Sequence, residues 1–104
     1  MAVAVVLEFE GATLDQYDQV IEKMGFTPGG TGAPGSISHW VTKTDNGIRV
    51  TDVWETREQG ERFIQERLNP IIEPMAEAAA KSGDTTFAPP SRETWYELYD
   101  SMTG

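Results

Sequence analysis

One stretch of the sequence, residues 37–56, carries the side chains best suited to chemistry: ISHWVTKTDNGIRVTDVWET. It contains His39, which is the chain's one histidine, together with Asp52 and two of the three tryptophans, Trp40 and Trp54. Imidazole titrates near neutral pH, and a neighbouring carboxylate fixes its tautomer and stabilises its protonated form. The pair therefore predicts a general base that deprotonates a phenol or an enol, provided that the fold brings His39 and Asp52 together.

The pattern of this stretch predicts a β-hairpin with Asn46 and Gly47 as its two-residue turn. Counting outward from that turn places His39 opposite Trp54, so that His39 and Asp52 are diagonal neighbours on one face. Six side chains should project together from that face, which is otherwise apolar: Ile37, His39, Val41, Val50, Asp52 and Trp54. A three-residue loop with a bulge at Gly47 is the alternative, and it would separate His39 from Asp52.

A capped helix precedes the hairpin and contributes a third polar candidate. Thr13 followed by Gln16 is a capping-box pattern, and Gly25 stands where a helix C-cap glycine belongs. Tyr17 lies on the apolar face of this helix, where its hydroxyl could hydrogen-bond an oxyanion in the site. The helix and the hairpin together are expected to form the site.

The rest of the chain supplies the elements that must position these residues. A β-branched run at residues 2–9 predicts a central strand, and RETWYELYD predicts a last strand. Thr56 with Gln59 predicts the start of a second helix, and Asn69 before Pro70 predicts a further helix start, with Asn69 as the N-cap. The order is strand, helix, strand, strand, helix or helix pair, strand.

The segment TPGGTGAPG, residues 27–35, is the chain's most glycine-rich stretch. It lacks the lysine and the hydroxyl residue of a phosphate-binding loop, and it follows a helix rather than a strand. We interpret it as a flexible loop between helix and strand, with a lid as one role that it could have.

Composition limits the classes of function. The 104 residues suit one domain, residues 1–104, and the net charge of −9 disfavours binding to nucleic acid or to anionic membranes. With no cysteine and one histidine, we expect no metal site within a single chain. The opening residues lack a signal-peptide pattern and no apolar run could span a bilayer, so we expect a cytoplasmic protein.

The βαββαβ order is typical of the α+β ferredoxin-like fold with a four-stranded antiparallel sheet. The segment HWVTKTDNGIRVTDVWETREQGERF resembles the dimeric α/β-barrel superfamily, and within it the small antibiotic-biosynthesis-monooxygenase-like proteins. The resemblance depends on Val53, Trp54 and Glu55 at the end of a strand, a capping Thr56, and Phe63 on the helix. It implies a homodimer whose two sheets pack face to face, with a pocket between sheet and helices in each subunit.

The resemblance also implies a function in natural-product metabolism. We expect a cofactor-independent monooxygenase or a cyclase that acts on an aromatic or polyketide-like substrate, with no cofactor. His39, Asp52 and Tyr17 are the expected catalytic residues. The residues expected to bind substrate are Trp54, Met24, Val41, Val50, Phe63, Ile72, Met75 and Tyr96. A non-catalytic dimeric ligand-binding or accessory protein is the alternative, and a haem protein is a third, which a strand histidine disfavours.

Overall fold

The computed structural model describes residues 2–26, 32–84 and 88–100, and it has one four-stranded antiparallel sheet. The strands are β1 (Val3–Glu10), β2 (Ser36–Thr44), β3 (Gly47–Trp54) and β4 (Arg92–Glu97), in the spatial order β2-β3-β1-β4. The helices are α1 (Leu14–Met24), α2 (Arg57–Phe63) and α3 (Asn69–Lys81). This order and connectivity confirm the predicted ferredoxin-like α+β fold.

The two faces of the sheet differ because side chains alternate along each strand. Val5 and Leu7 on β1 are buried against the helices in a cluster that also includes Ile72 of α3. We call this side the covered face. The side chains between them, such as Val6, point to the other side, where no described helix packs, and we call it the open face. Tyr96 of β4 lies on the open face and is 55% exposed.

Helix α1 begins and ends as its sequence predicts. The Thr13 hydroxyl accepts from the backbone N–H of Gln16, and the Gln16 side chain accepts from the backbone N–H of Thr13, which closes the capping box. Gly25 ends the helix with φ of 82°, a left-handed conformation that a glycine adopts without a Cβ clash. These two caps define where the helix starts and ends.

The predicted N-cap at Asn69 is wrong. Asn69 has helical dihedrals, and its N–H donates to the carbonyl of Ile64 in a wide π-helical turn, Ile64–Leu68, which joins α2 to α3 without a break. Pro70 has no N–H to donate and its ring crowds the preceding turn, so a wider turn just before it accommodates the proline. The helix pair is therefore one continuous run with a local widening.

The hairpin turn also differs from both predicted registers. Thr44 pairs with Gly47, so Asp45 and Asn46 are the two turn residues, and Gly47 already belongs to β3. The turn carbonyl of Asn46 accepts a hydrogen bond of 2.6 Å from the N–H of Gly11 at the end of β1, which anchors the turn to the neighbouring strand. Because the shift from the first prediction is by two residues, every side chain keeps its predicted face.

Part of the predicted loop between α1 and β2 lies outside the described residues. Residues 27–31 are not described, whereas Gly32 and Ala33 are, and Ala33 belongs to the buried cluster. Residues 85–87, in the connection between α3 and β4, also lie outside the description. The predicted flexibility and the lid role of the first loop therefore stay predictions.

Candidate active site

Three polar side chains form a hydrogen-bonded chain on the covered face. Asp52 of β3 lies directly opposite His39 of β2, and its Oδ1 bonds to the histidine Nδ1. The other ring nitrogen, Nε2, is 2.6 Å from the hydroxyl of Tyr17 on α1. The structure thus brings together the three predicted catalytic residues, with His39 between the other two.

Local structure explains why these side chains meet. An irregularity in the pairing between Ser36 and Ser38 precedes His39, and from there the ladder runs regularly to the turn. Tyr17 stands in the first turns of α1, where the capping box fixes the helix start. Its ring stacks against the imidazole, with centroids 6.1 Å apart and planes 13° from parallel. Two strands and one helix therefore fix the three groups.

The chemistry of the donors and acceptors assigns the proton on the neutral imidazole. An ionised carboxylate only accepts hydrogen bonds, so Asp52 accepts from Nδ1–H. The lone pair on Nε2 then accepts from the Tyr17 hydroxyl. In this tautomer the basic lone pair of His39, on Nε2, is directed at Tyr17. If Nε2 took up a proton, the Asp52 carboxylate at Nδ1 would stabilise the positive charge of the ring.

The three hydrogen-bonded side chains differ in their exposure to solvent and in the charges around them. Asp52 is buried, with 7% of its surface exposed, whereas the side chain of His39 is 35% exposed. Burial raises the pKa of the Tyr17 phenol, and the negative charges of Asp52 and Asp18 raise it further. Tyr17 therefore stays protonated at neutral pH and donates to His39.

These groups line a cavity of about 640 Å³ between the sheet and the helices. That volume lies within the range of small-molecule sites in proteins, roughly 300–1,000 Å³. Most of the lining is apolar or aromatic, and six of the predicted substrate-binding residues belong to it: Trp54, Met24, Val41, Val50, Phe63 and Ile72. The described lining contains no lysine or arginine, whereas it includes the carboxylates of Asp18 and Asp52, so it does not favour an anionic ligand.

Two predicted binding residues do not line the cavity. Met75 lies on α3 beside Pro74 in a separate shallow groove between α1 and α3. Tyr96 is on the open face, because it pairs with Ala4 and alternates with Trp95, which packs against the buried cluster. Met75 was expected to bind substrate, but the sequence could not predict which neighbour its side chain would meet.

Trp54 forms one wall of the cavity through a close approach between β3 and α2. It is 2% exposed, and its ring centroid is 5.1 Å from that of Phe63. Gly60 of α2 lies directly on the indole, where a Cβ would come within 2.8 Å of the Trp54 Cδ1 and 2.9 Å of the Trp95 ring. The indole Nε1 is buried without a hydrogen-bond partner in the described part of the chain, so Trp54 borders the cavity with its ring rather than with its polar edge.

Several residues that shape the cavity were not predicted from the sequence. Phe26, just after the helix-ending glycine, stacks on Phe63 with centroids 6.3 Å apart, and Arg67 of the π-helical turn lies over both rings. Gly60 was also missed, although a glycine in the middle of a predicted helix is a signal of close packing. Leu14 and Ile37 border the cavity and are exposed, at 45% and 54%.

A second charged group lies on the open face. Glu8 of β1 is directly opposite Arg49 of β3, whose Nη2 is 2.8 Å from the carboxylate, and Arg92 of β4 lies 3.9 Å away. The hydrogen bond from Arg49 lowers the pKa of Glu8 from its usual value. None of these three residues lines the cavity or the groove described above, and the ion pairs are solvent-exposed.

Neither a metal cluster nor a membrane span is found in the part of the chain that the structure describes. Its residues 2–26, 32–84 and 88–100 contain no group of three or more His, Asp and Glu side chains that could hold a metal ion. None of its helices has both the length and the hydropathy that crossing a bilayer requires.

The fold and the cavity define an α+β ferredoxin-like protein with a ligand-sized site between sheet and helices. A solved structure from Chloroflexus aurantiacus J-10-fl, provisionally designated an antibiotic biosynthesis monooxygenase, has a similar fold with a TM-score of 0.57. The similarity covers 99% of this chain and 98% of that one, at 18% sequence identity, and it confirms the fold that the sequence resemblance implied. No family model matches the chain. No curated protein matches it either.

Proposed function

We propose that this protein is a small-molecule enzyme that removes a proton from a phenol or an enolisable ketone bound in the cavity. The observation that carries the proposal is the chain of Asp52, His39 and Tyr17 at the wall of a mostly apolar cavity. A buried carboxylate that orients a histidine is the arrangement that general bases use. Burial of a carboxylate is unfavourable unless it is paired, and Asp52 is paired with His39.

The proton transfer leads to one of two reactions on an aromatic or polyketide-like substrate. A phenolate is electron-rich enough to react with O₂ without a metal, and the adduct loses water to give a quinone, so that phenol and O₂ become quinone and water. Alternatively, an enolate attacks a carbonyl of the same molecule and water is lost, which closes a ring. The provisional designation of the structural neighbour favours oxygenation.

The lining indicates the kind of ligand. Because the described lining has no lysine or arginine, a neutral molecule suits it better than a phosphate ester or a free carboxylate. Trp54 and Phe63 offer aromatic surfaces for a planar ring system. We infer that the substrate is a neutral polycyclic phenol or ketone and that the reaction needs no cofactor.

We further propose that the open face joins two copies of the chain into the homodimer that the resemblance implies. Trp40 and Tyr96 are large, exposed aromatic side chains on strands of the sheet, at 47% and 55% exposure. Exposed aromatic surface on a sheet is a frequent component of protein interfaces. Native mass spectrometry should give the mass of two chains, and a single-chain mass at micromolar concentration would contradict the dimer.

The test of the function is turnover of a small panel that contains an anthrone, a naphthol and a linear polyketide mimic. We expect the wild-type protein to consume O₂ with the anthrone or the naphthol and to yield products that have gained one oxygen and lost two hydrogens. His39→Ala should reduce that rate by about a hundredfold or more, since general-base catalysis contributes that much. Loss of water from the polyketide mimic, without O₂ uptake, would assign cyclisation instead.

Glu8→Gln is the matched control, because it also removes one partner of a directly opposite cross-strand pair, but on the open face. Its rate should equal that of the wild-type protein. A wild-type rate no higher than that of His39→Ala would contradict the proposed function.

A non-catalytic ligand-binding protein is the second candidate, and one observation favours it. Tyr17 and Asp52 already satisfy both ring nitrogens of His39, as in a histidine that serves only to hold the structure. Binding of an anthrone or naphthol by calorimetry, without turnover by wild-type protein, would support this candidate.

A further inference from the structure

The hydrogen bonds of His39 leave neither ring nitrogen free to meet a substrate. Imidazole has two nitrogens, each with one hydrogen-bonding direction in the ring plane. Asp52 occupies Nδ1 and the Tyr17 hydroxyl occupies Nε2 at 2.6 Å. A substrate proton can therefore reach His39 either through Tyr17 or after Tyr17 has moved away.

Movement of Tyr17 away from His39 would disturb packed structure. The ring is partly buried against the hydrophobic cluster, and it stacks on the imidazole. The helix that carries it has both caps formed, at Thr13 and Gly25. The hydroxyl itself is well placed, because Tyr17 lines the cavity and its only hydrogen bond among the described residues is the one to His39. One lone pair of the hydroxyl oxygen thus remains for a ligand.

We propose that Tyr17 is the residue that takes the substrate's proton, while it passes its own proton to His39 in the same step. The inference rests on the proposed function and assigns the contact with substrate to the tyrosine. Burial and nearby negative charge, which raise the pKa of Tyr17, are consistent with a relay that never holds a free tyrosinate.

The step balances without an added reagent. The substrate C–H or O–H bond breaks, its electron pair stays on the substrate as an enolate or phenolate, and its proton forms a new O–H bond at the Tyr17 oxygen. The former Tyr17 O–H bond breaks, and that proton forms N–H at the His39 Nε2. Tyr17 is unchanged, His39 becomes imidazolium, and Asp52 acts as a positioning residue that faces the new charge.

The experiment measures tritium release from C1-tritiated 2-tetralone, a neutral bicyclic ketone whose C1–H is acidic, into H₂O and into D₂O. Wild-type protein, Tyr17→Phe and His39→Ala are compared, with Tyr99→Phe as a control that deletes the hydroxyl of a fully exposed tyrosine. A relay predicts that Tyr17→Phe and His39→Ala both lose about a hundredfold or more of the rate, whereas Tyr99→Phe keeps it. Thermal unfolding of each variant checks that the fold is retained.

The solvent comparison separates a relay from a structural role of Tyr17. In a relay, the tyrosine proton that moves comes from solvent, so release by the wild-type protein should be slower in D₂O than in H₂O. Direct abstraction by His39 moves no solvent-derived proton, and the two solvents should then give the same rate. Equal rates, or a Tyr17→Phe rate at or above the wild-type rate, would overturn the relay and leave the proposed function intact. No release by wild-type protein above buffer would overturn both.

Discussion

The two faces of the sheet each carry a charged cross-strand pair in the same geometry, but the surroundings of the pairs differ. His39 lies directly opposite Asp52 on the covered face, and Glu8 lies directly opposite Arg49 on the open face. The first pair has a buried carboxylate, a third partner in Tyr17 and a cavity beside it. The second pair is in contact with solvent and does not line that cavity.

The difference shows that cross-strand pairing alone does not indicate a site. Exposed ion pairs contribute little to stability, since water and salt screen them. A buried carboxylate, by contrast, is stable only when it is paired, and the pairing holds the partner side chain in one orientation. Burial and an adjoining cavity are what make the covered-face pair a candidate for chemistry. Four predictions test this contrast, from the largest expected effect to the smallest.

Gly60→Ala should destabilise the protein, because the covered face is closely packed where α2 crosses Trp54. In an open helix position the change would stabilise by about 1 kcal/mol through helix propensity. Here the new methyl group would overlap two indole rings, and overpacking of this kind costs about 1–3 kcal/mol. Urea unfolding should give a lower free energy of unfolding than for the wild-type protein. An increase would mean that Trp54 is not fixed in the described position.

Asp52→Asn should slow 2-tetralone tritium release by about tenfold while the fold is retained. The amide has nearly the same shape but cannot offset the charge of an imidazolium, and a charged hydrogen bond is stronger than a neutral one by about 1–1.5 kcal/mol. The rate relative to the wild-type protein, measured at one pH, gives this effect directly. Glu8→Gln makes the same kind of change on the open face and should leave the rate unaltered.

Alkaline pH should destabilise the wild-type protein more than Tyr17→Phe. The pKa of Tyr17 is raised in the folded state relative to its usual value near 10, so the folded state holds its proton where the unfolded state has lost it. This contribution is fully present below pH 10 and is lost as the pH rises through the folded pKa. Urea unfolding from pH 8 upward should therefore show a steeper loss for the wild-type protein, and parallel curves would contradict the assigned burial of the phenol.

Glu8→Gln should have the smallest effect, a change in the free energy of unfolding at pH 7 within the error of a urea titration. The pKa of Glu8 is lowered in the folded state, so whatever stability the carboxylate adds is present above its usual pKa and is lost as the pH falls through the folded value. The variant should accordingly be slightly less sensitive to acid than the wild-type protein. A clear loss of stability at neutral pH would mean that the pair of Glu8 and Arg49 stabilises the fold more than an exposed ion pair does.

The hairpin illustrates what periodicity predicts and what it does not. The two-residue error in register left His39 and Asp52 on the same face, because side chains alternate with a period of two. Whether the pair would be diagonal or directly opposite depended on turn geometry, which the Asn46–Gly47 signal predicted wrongly. The irregularity at Ser36 and Ser38 also has no signature in the sequence.

Other parts of the site depended on tertiary contacts that a single sequence does not contain. Tyr17 was assigned to the site from its position on an apolar helix face, but its bond to His39 depends on how α1 crosses β2. Tyr96 was expected to bind substrate but lies on the open face, because its face depends on the register of β4 against β1. Asn69 followed by Pro70 is a pattern typical of a helix N-cap, but in the structure the helix continues through both residues.

The most direct test of the central claim is a ¹⁵N NMR spectrum of His39 recorded with and without 2-naphthol. The chain has one histidine, so its ring signals need no assignment strategy. We predict that the neutral ring carries its proton on Nδ1 and that the Nε2 resonance shifts when naphthol binds, because the ligand hydroxyl joins the hydrogen-bond chain at Tyr17. A proton on Nε2 in the free protein, or ring signals that do not move at saturating naphthol, would contradict the assignment of this face of the sheet as the active site.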